Sequence, residues 1–183
     1  NRILEPVWNN LHIERVEIIF DEKLGLEGRA KYYDGAGALR DMIQSHLLQT
    51  MAVIAMGPPA TLGERDVRDL IAATLRASSV PKDYERSTRR ARWSAGEIDG
   101  EGVEAYAESP GVDPERETET LAEVEIRVEN ERWAGVPFFL RSGKALGNTR
   151  QEAVITFKPV SHLPDGFTGS AGEASRLRIS FAP

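Results

Sequence analysis

The 183 residues suffice for one domain with a substantial core and are short for two. Apolar residues make up 40% and charged residues 28%, the balance of a soluble globular protein, and the net charge of −6 speaks against nucleic acid or an anionic membrane as the main partner. There is no cysteine, which excludes disulfides and thiolate catalysis and favours a cytoplasmic location.

The chain opens on "NRILEPVWN" without an initiator methionine and closes on "SRLRISFAP". Both ends are patterned like element interiors, so a piece of a longer protein is expected. No basic-plus-apolar leader precedes the first element, and the longest apolar run, inside residues 47–56, is too short to span a bilayer. Residues 12–22, "HIERVEIIFDE", alternate with strand period and a β-branched bias. Residues 27–34, "EGRAKYYD", read as a second strand or an extended loop, punctuated by Gly35 and Gly37.

A helix follows, with Leu39, Ile43, His46, Leu47, Thr50 and Ile54 on one stripe, ended by Gly57-Pro58-Pro59. A second helix is expected over 64–77, with acidic residues in its first turn and Arg76 in its last. Residues 78–117 are polar and rich in turn formers, and read as an irregular surface excursion with short extended pieces such as "TRRARWSAG". Strands are expected over 121–130, 135–143, 152–160 and 176–183. One strand, then helices, then strands at short spacing predict an α+β fold: a large, mainly antiparallel sheet with helices packed on one face.

Four kinds of residue stand out for chemistry. His46 is either a hydrogen-bonded core histidine on the apolar stripe or a general base, since imidazole titrates near ~6.5. Asp41 lies five residues earlier, about 140° around an ideal α-helix, so α-helical spacing does not make it the partner of His46. It is either a solvated aspartate or an acceptor for a substrate hydroxyl. Lys144, between glycines in "RSGKALG", is either an exposed loop lysine or an anion-binding point charge, which Arg150 would reinforce. The string is no Walker loop. Glu22 ends the first strand. The three histidines, at 12, 46 and 162, are too scattered for a metal site, and no G-x-G-x-x-G follows a strand.

The strings "EPVWN", "EGRAKYYDGAGALRDMIQSHLLQ", "ETETLAEVEIRVENERWAGVPFFLRSGKAL" and "ITFKP" closely resemble the C-terminal domain of glucose-6-phosphate dehydrogenases, in the right order over nearly the whole chain. The resemblance implies that residues 1–183 are that substrate-binding and oligomerisation domain, truncated at both ends, with the family's N-terminal Rossmann domain absent. It implies oxidation of the C1 hydroxyl of glucose 6-phosphate to the lactone with NADP+ as hydride acceptor, and a homodimer or homotetramer formed through the sheet. His46 matches the family's general base, Asp41 and Glu22 match carboxylates that hold sugar hydroxyls, and Lys144 matches a lysine at the sugar site. Arg150 lies next to a position, Thr149, where the family often has a second basic residue.

Other departures are Ala30 for a usual glycine, Ser45 for asparagine, Gly57 for glutamate and Ala182 for glutamine. The family string "RIDHYLGK", which supplies the aspartate that orients the base and groups for the phosphate, has no counterpart here. The isolated chain is therefore expected to be inactive. The competing expectation is a non-catalytic paralogue, acting as a sugar-phosphate-binding or dimerisation module.

Overall fold

The computed structural model describes residues 3–166 and 174–181, so Ala182 and the last two residues of the expected final strand lie outside the described residues. In chain order the elements are β1 (Ile13–Asp21), α1 (Ala30–Ala38), a π-helical segment (Leu39–Leu47), α2 (Leu48–Ala55) and α3 (Glu64–Arg76). The excursion contributes β2 (Ser78–Ser79), a single helical turn α4 (Tyr84–Ser87), β3 (Thr88–Ala91) and the hairpin β4 (Gly96–Ile98) and β5 (Glu101–Val103). Then come β6 (Leu121–Val128), β7 (Pro137–Gly143), β8 (Arg150–Phe157) and β9 (Arg176–Ser180). Among the described residues no helix is long and apolar enough to cross a membrane.

The main sheet has the order β2-β6-β7-β1-β8-β9, with β3 also paired to β6. It is mainly antiparallel, as expected, with β1 and β7 paired in parallel. Strand alternation sorts the side chains. Val16 and Ile18 of β1 stand beside Phe138 and Leu140 of β7 and beside Ile155 and Ala153 of β8, and this face carries the core. Ile43, Leu47, Met51 and Ala55 of the helical layer complete the core. The opposite face holds crossed ion pairs, Arg15–Glu17, Arg141–Asp21 and Arg150–Glu152–Arg178 among them. Ile19 and Val154 lie on this face among those long side chains and are almost fully buried. That face is charged, unlike the bare apolar surface a purely dimerising sheet would offer.

Two expectations for the helical region change. Residues 27–34 form neither a strand nor an extended loop: Glu27 and Gly28 turn the chain with positive φ, and the helix begins at Ala30. Burial of Tyr33 and Asp34 beneath the excursion outweighs the strand preference of paired aromatics. The long helix is also not one α-helix. Gly37 breaks it at φ 67°, and the next nine residues wind as a π-helix, so that the amide of Leu48 donates to the carbonyl of Ile43, five residues back. The wider winding changes the phase of the stripe: Ile43 and Leu47 stay buried, while Leu39 and His46 turn outward.

Two tryptophans close the end of α2. Trp8 Nε1 donates to the carbonyl of Ile54 at 2.9 Å and Trp133 Nε1 to that of Ala55 at 2.7 Å. The rings meet edge to face at 6.5 Å, and Trp133 meets Phe138 in the same way at 5.1 Å. These bonds satisfy carbonyls that Gly57-Pro58-Pro59 cannot reach, because proline has no amide proton to give. Trp133→Phe should therefore cost about 2–4 kcal/mol, from lost core volume and an orphaned buried carbonyl. A urea titration should show a lower midpoint at unchanged slope. An unchanged midpoint would remove Trp133 as the cap.

Candidate functional site

The site begins with a register. The parallel ladder of β1 and β7 ends on the pair Asp21 and Gly143, so the next residues, Glu22 and Lys144, emerge side by side on the face that the helices cover. Backbone bonds fix both. Glu22 N donates to the carbonyl of Gly143, Lys144 N to that of Thr120, and Leu146 N to that of Glu22, each at 2.9 Å. The side chains join at 2.6 Å, Nζ of Lys144 to Oε2 of Glu22, and the lysine is only 6% exposed. Lys144 is thus a buried, paired cation and not an exposed loop lysine. A buried ammonium with three N–H groups keeps donors for a ligand that a single carboxylate does not consume.

The helical layer brings Tyr33 to the same place. Tyr33 in α1 is 3% exposed, and its hydroxyl is pushed well above the usual tyrosine range, first by burial and then by the negative charges of the Asp41, Glu119 and Glu22 carboxylates. Lys144 Nζ stands 5.7 Å from the centre of the Tyr33 ring, so the ammonium lies between the Glu22 carboxylate and that ring face. The neighbouring Tyr32 points the other way, 61% exposed, and donates to Asp41 Oδ1 at 3.1 Å. That bond raises the Tyr32 hydroxyl as well. Ser45, where asparagine was expected, turns its hydroxyl back to the carbonyl of Asp41.

His46 is exposed, so the core-histidine reading does not hold. It lies on the same π-helical segment as Asp41, and π winding draws residues five apart toward one face, where α-helical geometry would separate them. Past His46 a groove of about 370 Å³ runs between α2 and β9, lined by Thr50, Val53, Ile54, Ala153, Ile179 and Phe181. Arg150 does not join the cluster. It pairs in register with Asp21, which puts its side chain on the opposite face of the sheet, where it is bound to Glu152 at 2.8 Å. Among the described residues no cluster of acidic residues and histidines has the makings of a metal site.

The excursion holds the helical layer in place. Asp34, in α1, accepts from the Tyr106 hydroxyl at 2.9 Å and from the amide of Asp113 at 3.2 Å, while Thr118 Oγ1 donates to the carbonyl of Asp34 at 2.7 Å. Glu119 accepts from the amide of Leu39 at 2.9 Å and lies against Gly37, where a Cβ would stand 2.5 Å from its Oε1. Gly37 is thus required both for its positive φ and for this approach. Tyr32, Tyr33, Asp34, Tyr106 and Glu119 were not singled out from sequence. The one available signal was "YYD", two aromatics and a carboxylate ahead of two glycines, which sequence reasoning took for extended chain.

Comparison with known proteins places the chain. The family described as glucose-6-phosphate dehydrogenase, C-terminal domain, matches residues 1–183. The chain is 43% identical over 164 residues to a glucose-6-phosphate 1-dehydrogenase of Aggregatibacter actinomycetemcomitans, covering 88% of this chain and 33% of that protein. It is 42% identical over 189 residues to one of Rhizobium meliloti, covering 100% and 38%. A solved glucose-6-phosphate dehydrogenase in complex with its substrate glucose-6-phosphate superposes with a TM-score of 0.80 at 28% identity, over 99% of this chain and 42% of that one. The glucose-6-phosphate 1-dehydrogenase from Mycobacterium avium gives 0.77 at 32% identity, over 99% and 44%.

The buried pair sets its own test. Glu22→Gln should destabilise the protein by about 2 kcal/mol, because it leaves the Lys144 ammonium buried without a countercharge; the partial exposure of Glu22 keeps the loss below that of a sealed pair. Adding Lys144→Met should recover most of the loss. A single variant as stable as the double variant would show that the pair does not balance a buried charge.

Proposed function

The chain belongs to the glucose-6-phosphate dehydrogenase C-terminal domain family, and from that premise we propose that it is the substrate-binding part of a dehydrogenase that oxidises glucose 6-phosphate at C1. It spans 33% and 38% of the length of the two curated relatives compared, so the activity belongs to the longer protein that carries it. The observation that supports the reading best is the buried Glu22–Lys144 pair against the Tyr33 ring, with Asp41 and His46 together on the π-helical segment of the layer that covers it. The solved relative that holds glucose 6-phosphate supports the same substrate.

Each residue then has a task. The C1 hydroxyl must lose its proton as the carbonyl forms, and an exposed imidazole on a rigid segment is suited to take it, so His46 is the general base. Asp41 has one oxygen engaged by Tyr32 and offers the other to a sugar hydroxyl. Glu22 accepts from Lys144 through Oε2 and offers Oε1 to a second hydroxyl. Lys144 donates its remaining N–H groups to the sugar phosphate side of the site. Arg150, bound to Glu152 on the far face, takes no direct part in this arrangement.

The hydride acceptor that the family implies is NADP+. The connection from β1 to α1 holds Gly25 and Gly28 but not the G-x-G-x-x-G spacing of a Rossmann dinucleotide turn. The chain's own part is confined to binding the sugar and moving its proton, and by itself it should be inactive. A cytoplasmic homo-oligomer assembled through the sheet belongs to the same reading. It is supported by the family to which the chain belongs.

The test uses the full-length protein that carries this chain, following NADP+ reduction with glucose 6-phosphate. Wild type should turn over, and His46→Ala should lower kcat about 10²–10⁴-fold at similar KM. A wild type without activity would overturn the dehydrogenase reading. A variant that keeps most of its activity would overturn the role of His46.

A further inference from the structure

A lysine held by one carboxylate is still free to swing. Its ammonium is a point charge on a four-carbon stem, and a single hydrogen bond fixes only one of its three N–H directions. Among the described residues Lys144 has one such side-chain bond, to Glu22. Its second contact is the face of Tyr33, 5.7 Å from Nζ to the ring centre, inside the range of cation–π attraction.

That ring does not stand alone. Tyr33 meets Tyr106 edge to face at 6.4 Å, and Tyr106 meets Trp93 in the same way at 5.0 Å. Tyr106 is fully buried and tied through its hydroxyl to Asp34. Trp93 Nε1 donates to the carbonyl of Glu104 at 2.9 Å, and its amide donates to Thr120 Oγ1 at 3.0 Å. The carbonyl of Thr120 in turn accepts the amide of Lys144. The column of three rings and the backbone of Lys144 are therefore anchored to one residue. The excursion between α3 and β6, which has little core of its own, ends in this column.

We propose that Tyr33 is a positioning residue for Lys144, and that the column Trp93–Tyr106–Tyr33 fixes the ring face against which the ammonium is aimed at the sugar phosphate. The proposal rests on the reading that Lys144 binds that substrate. The ring face is what matters: phenylalanine supplies it, an aliphatic side chain does not. The column also gives the excursion a task, since two of its three rings, Trp93 and Tyr106, come from there.

The experiment measures kcat, the KM for glucose 6-phosphate and the KM for NADP+ in the full-length enzyme. Tyr33→Phe should stay within about twofold of wild type. Tyr33→Leu should raise the KM for glucose 6-phosphate about tenfold, leaving kcat and the KM for NADP+ within about twofold. In a Lys144→Met background, Tyr33→Leu should add nothing, because both changes remove one interaction. To separate the ring's electrons from its shape, 3,4,5-trifluorophenylalanine placed at position 33 should raise the KM for glucose 6-phosphate above that of Tyr33→Phe.

Equal KM for the fluorinated and plain phenylalanine enzymes, or additive effects of Tyr33→Leu and Lys144→Met, would overturn the positioning role and leave the reading of Lys144 standing. An unchanged KM in Lys144→Met would overturn both.

Discussion

The parallel pairing of β1 with β7 is the constraint on which the site depends. In an otherwise antiparallel sheet it sends two chains out of the sheet at the same end. One step beyond the ladder, Glu22 and Lys144 lie side by side on the covered face. A slip of one residue in either strand would turn one of them to the far face, because side chains alternate along a strand. The hydrophobic pairs Val16–Phe138 and Ile18–Leu140 hold that register from within the core. Core packing and the placement of a charged pair are thus settled by one set of backbone hydrogen bonds.

The helical layer adds the other half. Gly37 breaks the chain between Tyr33 and Asp41, and the carboxylate of Glu119 occupies the space that a Cβ would need. Beyond the break the π winding keeps Ile43 and Leu47 in the core while it turns His46 outward. An α-helix through the same residues would put Asp41 and His46 about 140° apart. Wide winding of this kind is costly and concentrates at functional sites. Here it reconciles a buried apolar stripe with two polar side chains that have to leave it.

Much of this was legible in the sequence. Strand alternation gave β1, β6, β7 and β9 to within a few residues, and Gly57-Pro58-Pro59 gave the end of α2. The α+β class and the helices on one face followed from the order of elements. The helix start at Ala30 was missed because Tyr32 and Tyr33 favour strands in isolation, and what decides the outcome is burial of Tyr33 against Tyr106, more than seventy residues away. The π segment was missed because an amphipathic pattern is read at the α period, and nothing local signals a wider turn.

In the candidate site, His46, Asp41, Glu22 and Lys144 stood out by residue type and position, but their roles came from resemblance to a family, since spacing alone left each with a plain structural alternative. The Glu22–Lys144 contact joins residues 122 apart and follows from register, which single-strand patterns do not reveal. Arg150 shows the converse. Proximity to Lys144 in sequence suggested a shared site, whereas strand parity puts it across the sheet.

The most direct measurement is a crystal structure of the full-length protein with glucose 6-phosphate bound. The sugar should lie beside the Glu22–Lys144 pair, with Asp41 on a ring hydroxyl and a ring nitrogen of His46 within hydrogen-bond reach of the C1 hydroxyl. A sugar seated away from Glu22, Lys144 and Asp41, or one whose C1 faces a group other than His46, would contradict the site described.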